Sequence, residues 1–374
     1  MSSGFGSYLP GSYEDLVGQA SAALGSGDVE ASIAIQYRLL DRLSRLSDRV
    51  LARRPDLRDL HRQVRLDLKG ILVWKRRLPE AIEVMEVLLR THPEQSAVWR
   101  AEIALLHLLD GDVETGLDGL ESLTRDYPDE IPLWLLLADE ARVAGYLDRS
   151  RAALDRALQL DVHGDEELLG SIHYIRFLVC RDLGQVDDAL AAWEEALAHD
   201  PRRIETIRAV YSMLTKAGRY DEALSYVARD ENQMQAAYQR ALIASRLGRI
   251  EEARQGWQEV AEMDPDEYEY GHDAWVEAVL RLGDPDPALE WLQEALAEVG
   301  TARLFALTGM GWAMKGDVEL PEIFFQRAAI DLGRSQRPQQ QKLDSAEWRL
   351  FDSLVAEDEI KAPLKSYFAV VETL

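Results

Sequence analysis

Small and large apolar residues recur in this chain at fixed distances from a short turn. Eight copies of the turn contain a glycine, and a ninth has Arg76 in the same place. The glycines are Gly27, Gly111, Gly145, Gly184, Gly218, Gly248, Gly283 and Gly316. Six of the eight spacings between successive turns lie between 30 and 35 residues. A fixed period of this size predicts an internally repeated structure.

The turn predicts how each repeat is built. Helices often end on a residue in the left-handed conformation, which glycine adopts without a Cβ clash. About 13 residues precede each turn and about 13 follow it, enough for three to four helical turns on each side. Each repeat is therefore predicted to be a helix, a tight turn and a second helix. Two long spacings predict a longer helix or loop, and the first repeat's second helix is expected from Glu30 to about Arg54.

Positions beside the turn predict how the two helices pack. Small residues, which allow two helices to approach closely, recur at three distances from the turn. Five residues after the turn they are Ala81, Gly116, Ser150, Ala189, Ala223, Ala253 and Ala288, and twelve residues after it they are Ala157, Ala196, Ala295 and Ala328. Seven residues before the turn they are Ala104, Ala138, Ala241 and Gly309. Large apolar residues lie nine after it: Met85, Leu120, Leu154, Trp193, Trp257, Leu292 and Phe325. Proline seventeen residues after it is expected to stop the second helix, at Pro93, Pro128, Pro201 and Pro265.

The stretch from Gly184 to Pro201 resembles the second half of a tetratricopeptide repeat (TPR), through Ala189, Trp193 and Ala196. Similar stretches run from Gly248 to Pro265 and from Arg76 to Pro93, and Trp134 matches the aromatic residue of the first helix. The resemblance implies an all-α fold, a right-handed α-α superhelix of about nine TPR-like helix-turn-helix repeats with a C-terminal capping helix. The repeat of Gly218 departs from the pattern, since Asp230 and Glu231 replace its closing proline and it is short.

The ends of the chain differ from the repeats. Residues 1–12, rich in Gly and Ser, are expected to be a disordered N-terminus. Residues 13–334 are predicted to form the TPR-like solenoid, and residues 335–374 the C-terminal capping helices. Within the cap we expect one helix from Gln339 to Val355 and a final short helix from Lys361 to Leu374.

Charge and composition narrow the classes of partner. The net charge is -25, which opposes nucleic-acid binding and docking on anionic membranes. It favours either a solvated acidic surface or a basic partner. No stretch approaches the length of a membrane span, and a cytoplasmic protein is expected. The single cysteine, Cys180, is expected to be a small buried apolar group.

Motifs for chemistry are missing from the sequence. It has no phosphate-binding glycine loop, no His-Glu-x-x-His and no nucleophile elbow. Its seven histidines are scattered through different repeats. We therefore expect a protein that is not an enzyme and that has no cofactor and no metal site.

The family resemblance places certain first-helix positions on a concave groove. In the later repeats these positions form a basic and aromatic strip, which we call the groove strip: Tyr174, Arg181, Arg208, Ser212, Lys216, Tyr238, Arg246 and Arg281. Arg binds carboxylates in a bidentate manner and Tyr adds contact area. The strip therefore predicts a site for an acidic or carboxylate-bearing peptide or protein. The alternative is that its Arg residues pair with neighbouring acids and only make the helices soluble.

The groove positions of the early repeats are apolar. They are Leu66, Val73, Trp74, Ala101, Leu105, Leu108, Leu109 and Leu135. For four of them, Trp74, Leu105, Leu108 and Leu109, there are three interpretations: burial within the chain, a partner protein and a homodimer. For the whole chain the leading prediction is a protein-protein interaction scaffold or adaptor. A non-catalytic regulatory or assembly subunit of an enzyme complex and a self-assembling structural module are the alternatives.

Overall fold

The computed structural model describes residues 12–160, 162, 164–268, 271–335 and 342–369. Within these ranges the regular structure is helical, apart from one isolated bridge between Leu343 and Phe368. The chain divides into two compact units, residues 1–161 and 162–374. Each unit is described by itself, so a single solenoid over residues 13–334 stays a prediction. Residues 1–11, expected to be disordered, lie outside the described residues.

The described part of the first unit contains α1 (Tyr13–Gly25), α2 (Val29–Ser44), α3 (Asp48–Arg53), α4 (Pro55–Trp74), α5 (Leu78–Thr91), α6 (Ser96–Asp110), α7 (Val113–Asp126), α8 (Ile131–Val143) and α9 (Leu147–Leu158). The helices pack as sequential pairs, α1 with α2, α4 with α5, α6 with α7 and α8 with α9. The prediction of one helix from Glu30 to Arg54 is wrong. The helix ends at Ser44, after which the amide of Leu46 donates to the Leu43 carbonyl, three residues back, at 3.1 Å.

The described part of the second unit contains α10 (Glu166–Asp182), α11 (Val186–His199), α12 (Ile207–Lys216), α13 (Tyr220–Val227), α14 (Gln233–Arg246), α15 (Ile250–Ala261), α16 (Gly271–Arg281), α17 (Asp286–Val299), α18 (Ala302–Met314), α19 (Glu319–Ser335), α20 (Ser345–Leu354) and α21 (Asp358–Leu364). First helices of successive repeats also touch, α14 with α16 and α16 with α18. The repeat of Gly218, which lacks the closing proline, is short as predicted, since α13 has only 8 residues.

The C-terminal helices differ from their predicted bounds. The first begins at Ser345, because the Asp344 carboxylate caps it by accepting from the amides of Ala346 and Glu347. Residues 339–341 of that prediction lie outside the described residues. The second was expected to begin at Lys361. It is α21 instead and ends at Leu364, and residues 370–374 lie outside the described residues.

The turns have the backbone conformation that the sequence predicts. All eight turn glycines have positive φ, between 72° and 93°. After Gly184, the amide of Gln185 donates to the carbonyl of Cys180 at 2.8 Å and closes the end of α10. Arg76 has φ 58° and is the one described non-glycine residue with positive φ. A side chain in the left-handed region costs roughly 1–2 kcal/mol of conformational energy, so the turn at Arg76 is the strained one.

The small and large positions beside the turns form the interior. On α11, Ala189, Trp193 and Ala196 are fully buried. On α18, a Cβ built on Gly309 would lie 2.7 Å from Cε1 of Phe325, which is itself fully buried. The close approach of α18 and α19 therefore depends on the missing side chain. The packing inferred for the two helices of a repeat is confirmed at these positions.

Polar side chains fasten consecutive second helices to each other. The Tyr146 hydroxyl donates to the Glu114 carboxylate at 2.8 Å, and Arg149 donates to the same carboxylate at 3.2 Å. The Arg149 guanidinium also lies 5.6 Å from the centre of the Tyr146 ring. We call this arrangement the clasp. The second unit has the same arrangement in Tyr226, Arg229 and Glu194. In both copies the acid precedes the Tyr by 32 residues and the Arg by 35, about one repeat.

Candidate functional site

The residues of the groove strip lie in several different environments of the second unit. Arg181, Ser212 and Lys216 line one cleft of about 610 Å³, which we call the basic cleft. It lies between the end of α10, the start of α11 and the face of α12. Met213 and Ala209 supply apolar wall, and Asp182 is the acidic residue of the lining. The three predicted residues therefore come together although they lie on two different repeats.

The two cations of the basic cleft are held differently. Arg181 donates to the Asp182 carboxylate at 2.8 Å, and its guanidinium lies 5.9 Å from the centre of the Phe177 ring. Lys216 is exposed at the end of α12, and no side chain of the described residues forms an ion pair with its ammonium group. Arg246, on the next first helix, reaches toward the same end of α12 and donates to the Thr215 carbonyl at 3.5 Å. Lys216 is thus the cation best placed to meet a ligand.

Arg208 lies in a different cleft, of about 460 Å³. Its Nε atom is 3.7 Å from the Asp230 carboxylate, which is almost completely buried. That carboxylate also accepts from the Tyr211 hydroxyl at 3.0 Å. Burial, followed by the nearby Asp230 carboxylate, raises the pKa of Tyr211 and keeps the hydroxyl a donor. Arg208 thus helps to hold in place the loop that follows the short helix α13.

Tyr174 is half-buried rather than open. Its ring lies 6.0 Å from that of Phe177, and the Arg203 guanidinium covers it at 4.8 Å. The contact of Arg203 with Tyr174 could not be predicted from the sequence, because Arg203 belongs to the connection before α12 and not to a first helix.

Tyr238 and Arg281 belong to a network of charges, which we call the ionic cluster. Its centre is Glu277, whose side chain is only 3% exposed. Arg281 donates to Glu277 at 2.7 Å, and Arg303 pairs with both Glu277 and Glu347. Burial, followed by the nearby Glu277 carboxylate, raises the pKa of Tyr238. The cluster thus joins three successive first helices to the capping helix α20.

The charges in the ionic cluster determine its protonation. Burial acts to raise the pKa of Glu277, but Arg303 and Arg281 outweigh burial and hold that pKa below its ordinary value. Burial raises the pKa of Glu347 in spite of Arg303. Glu347 also has a buried Oε2 atom without a hydrogen-bond partner. The sequence could not show this cluster, since Arg303 and Glu347 lie outside the counted groove positions.

The apolar groove positions of the first unit have mixed surroundings. Leu108 and Leu135 are buried and do not line an open groove; of the three interpretations given for Leu108, burial within the chain is the one that holds. Leu108 packs against α7, where a Cβ built on Gly116 would lie 2.5 Å from the Leu108 Cγ atom. Trp74 is 66% exposed, with the Lys75 ammonium 4.9 Å from its ring centre. Ala101 and Leu105 line a cleft between α6 and α8.

None of the described helices combines the length and the hydropathy needed to cross a bilayer. Among the described residues, no group of three or more His, Cys, Asp or Glu side chains is arranged to hold a metal ion.

Comparisons with known proteins give the following results. No family model and no curated protein matches the sequence. Among solved structures, the chain is similar to a tetratricopeptide repeat protein from Parabacteroides merdae, with 13% identity over 70% of this chain and 97% of that chain and a TM-score of 0.46. It is similar to PilF of Pseudomonas aeruginosa, with 14% identity over 56% and 94% and a TM-score of 0.42. It is also similar to the quorum sensor NprR of B. thuringiensis, with 17% identity over 85% and 99% and a TM-score of 0.43.

The chain's own geometry identifies the fold. Consecutive helices pack in pairs, positive-φ glycines close the turns, and small residues separate the two helices of a pair. The described residues therefore have a tetratricopeptide-like helical repeat fold.

Proposed function

We propose that the chain is an interaction scaffold or adaptor, and that its basic cleft binds an acidic or carboxylate-ending segment of a partner protein. On this proposal the protein binds and does not catalyse a reaction. The observation that carries the proposal is the meeting of Arg181, Ser212 and Lys216 around one cleft of about 610 Å³. That volume lies within the ordinary range of ligand sites.

Charge supports this choice of partner. The chain has a net charge of -25, yet this cleft has two cations and one acid in its lining. Within the described residues the Lys216 ammonium has no ion-pair partner, so a ligand carboxylate would not have to displace one. The Ser212 hydroxyl can donate a second hydrogen bond to the same carboxylate. Arg181 is 30% exposed and fixed by Asp182, which leaves part of its guanidinium open to a ligand.

The test measures binding of defined peptides by fluorescence anisotropy. The probes are an acidic peptide with a free C-terminal carboxylate, its amidated form, and a form with Lys in place of each acidic residue. Lys216→Glu should weaken binding of the acidic peptide about tenfold or more, because it replaces attraction by repulsion in a partly enclosed site. Lys342→Glu is the matched control, since Lys342 is an exposed lysine of the same unit outside the cleft.

Three outcomes separate the proposal from its rivals. Tighter binding of the free-carboxylate form than of the amidated form would place the terminal carboxylate in the cleft. Equal binding of the two forms, with loss in Lys216→Glu, would assign the contact to acidic side chains. Equal effects of Lys216→Glu and Lys342→Glu would refute the proposal, because only long-range charge would then be acting.

A further inference from the structure

The first unit contains a cleft of the opposite chemical character. It lies between the first helices α6 and α8 and has a volume of about 430 Å³. We call it the apolar cleft. Its walls are mostly hydrocarbon, with two carboxylates at the edge: Ala97, Val98, Ala101, Glu102, Leu105, Tyr127, Glu130, Pro132 and Leu133. None of these residues belongs to the groove strip or to the basic cleft.

The spacing on α6 indicates the shape of an occupant. The lining residues Ala97, Ala101 and Leu105 follow one another every four residues and so share one face of the helix. They span about 12 Å along the axis at about 1.5 Å per residue. A second helix laid beside α6 presents one side chain per turn at the same rise, whereas an extended chain does not. Alanine at two of the three positions lets another backbone approach closely.

The apolar walls of the cleft are open to water. Val98 is 54% exposed, although valine is among the residues most often buried. Pro132 and Leu133 face it from the first turn of α8. An apolar side chain from a partner would bury these surfaces and remove them from water.

The carboxylates at the edge indicate the charge of an occupant. Glu102 already pairs with Lys69 at 2.8 Å. Glu130 is exposed, and in the part of the chain that the structure describes no cation pairs with its carboxylate. Because the chain as a whole carries a charge of -25, an acidic partner would be repelled here. The apolar walls of the cleft and the unpaired Glu130 carboxylate are complementary to a partner helix that has an apolar face bordered by Lys or Arg.

We propose that the apolar cleft binds an amphipathic helix of a partner protein, with apolar side chains inserted between α6 and α8 and a Lys or Arg of the partner paired with Glu130. This site is separate from the basic cleft, and its ligand has the opposite charge. One chain can then hold two different partner segments.

The experiment uses the full chain and two synthetic helical peptides. Both have Leu once per turn on one face; one is bordered by Lys and the other by Glu. Binding is followed by fluorescence anisotropy, and circular dichroism of each variant confirms the helical content. The Lys-bordered peptide should bind. Val98→Glu should weaken that binding about tenfold or more, since it places a carboxylate among apolar contacts.

Matched variants make the result specific. Val143→Glu is the control, because Val143 is an exposed valine of the same unit, 50% exposed, that lies outside the cleft. It should leave the affinity unchanged. Glu130→Lys should weaken binding of the Lys-bordered peptide and strengthen binding of the Glu-bordered one. Lys216→Glu should change neither, so failure here is distinguishable from failure of the basic cleft.

The opposite results would overturn the proposal. Absence of binding by the Lys-bordered peptide would do so directly. Equal weakening by Val98→Glu and Val143→Glu would show that added negative charge, not the cleft, controls binding. Equal affinity for the Lys-bordered and Glu-bordered peptides in the unmodified chain would remove the role of Glu130.

Discussion

Acidification should destabilise the first unit through His61. This residue, on α4, is only 3% exposed. The Arg65 guanidinium lies 2.5 Å from its Nε2 atom and has to donate to it, so Nε2 is the acceptor and the ring proton is on Nδ1. Nδ1 itself is buried without a hydrogen-bond partner. Adding a proton at Nε2 would remove this hydrogen bond and bring two cations into contact.

The size of the effect follows from the pKa. Burial, then the Arg65 charge and the neighbouring His92, lowers the pKa of His61 from 6.5 to about 4. Between these values the unfolded chain binds more protons than the folded one, so stability falls as the pH drops from 6.5 toward 4. Each pKa unit corresponds to about 1.4 kcal/mol, so the whole loss is about 3 kcal/mol and some 2 kcal/mol of it occurs by about pH 5. The pKa of His92 is lowered too, mainly by burial, which adds to the loss.

Hydrogen exchange read by mass spectrometry measures this locally, which suits a repeat protein whose parts open separately. The amides of α4 and α5 should exchange faster at pH 5 than at pH 7, after correction for the intrinsic pH dependence of exchange. His61→Gln should remove most of that difference, since a glutamine oxygen can accept from Arg65 and does not titrate. His107→Gln is the control, because His107 lies on α6 of the same unit with Asp112 beside it. If His61→Gln is as acid-sensitive as the unmodified chain, the reasoning fails.

Further substitutions test other parts of the fold. Arg76→Gly should raise the free energy of unfolding by about 1 kcal/mol in urea titrations, by relieving a left-handed side chain, whereas Arg76→Ala should not. Gly309→Ala should lower the free energy of unfolding by about 1–3 kcal/mol, because its methyl group would clash with a buried phenyl ring. Gly70→Ala should raise it by about 0.5–1 kcal/mol, because Gly70 lies in a helix and a Cβ there would have nothing within 4 Å. A shared sign for the two glycines would contradict the packing. Arg303→Met should lower the free energy of unfolding by about 3 kcal/mol, because it leaves the buried Glu277 with fewer counter-charges. The change should appear as a lower midpoint of thermal unfolding. An unchanged midpoint would mean that the ionic cluster contributes little to stability.

The repeat could be predicted from the sequence because its signals are local. Gly184 needs only its own backbone to end a helix, and Ala189 and Trp193 keep a fixed distance from it. Their burial follows from helical periodicity alone. The break at Ser44 escaped prediction, since serine inside a helical pattern is weak evidence for a helix end. The backbone shows the end, since the amide of Leu46 donates to the carbonyl of Leu43, three residues back.

The groove strip was harder to predict than the fold. A position counted back from the turn gives the face of a helix, but it does not give the partner of a charge. Arg281 and Lys216 occupy the same counted position. One pairs with a buried carboxylate of its own helix, and the other has no ion-pair partner within the described residues. That difference lies four residues earlier on each helix, where Arg281 has Glu277 and Lys216 has Ser212. What the counted positions could not give is the rest of the ionic cluster, since Arg303 and Glu347 come from another repeat and from the cap.

The clasp has a consequence for how such a chain can change length. Its Tyr and Arg reach back to an acid about one repeat earlier, so the bond partners recur with the same offset as the fold. Duplication of a segment that contains the acid together with its Tyr-Arg pair would reproduce the clasp in the added copy. Loss of only part of such a segment would leave the Tyr and Arg opposite the wrong side chains. Lengthening by complete segments of this kind is therefore the route that keeps these bonds intact.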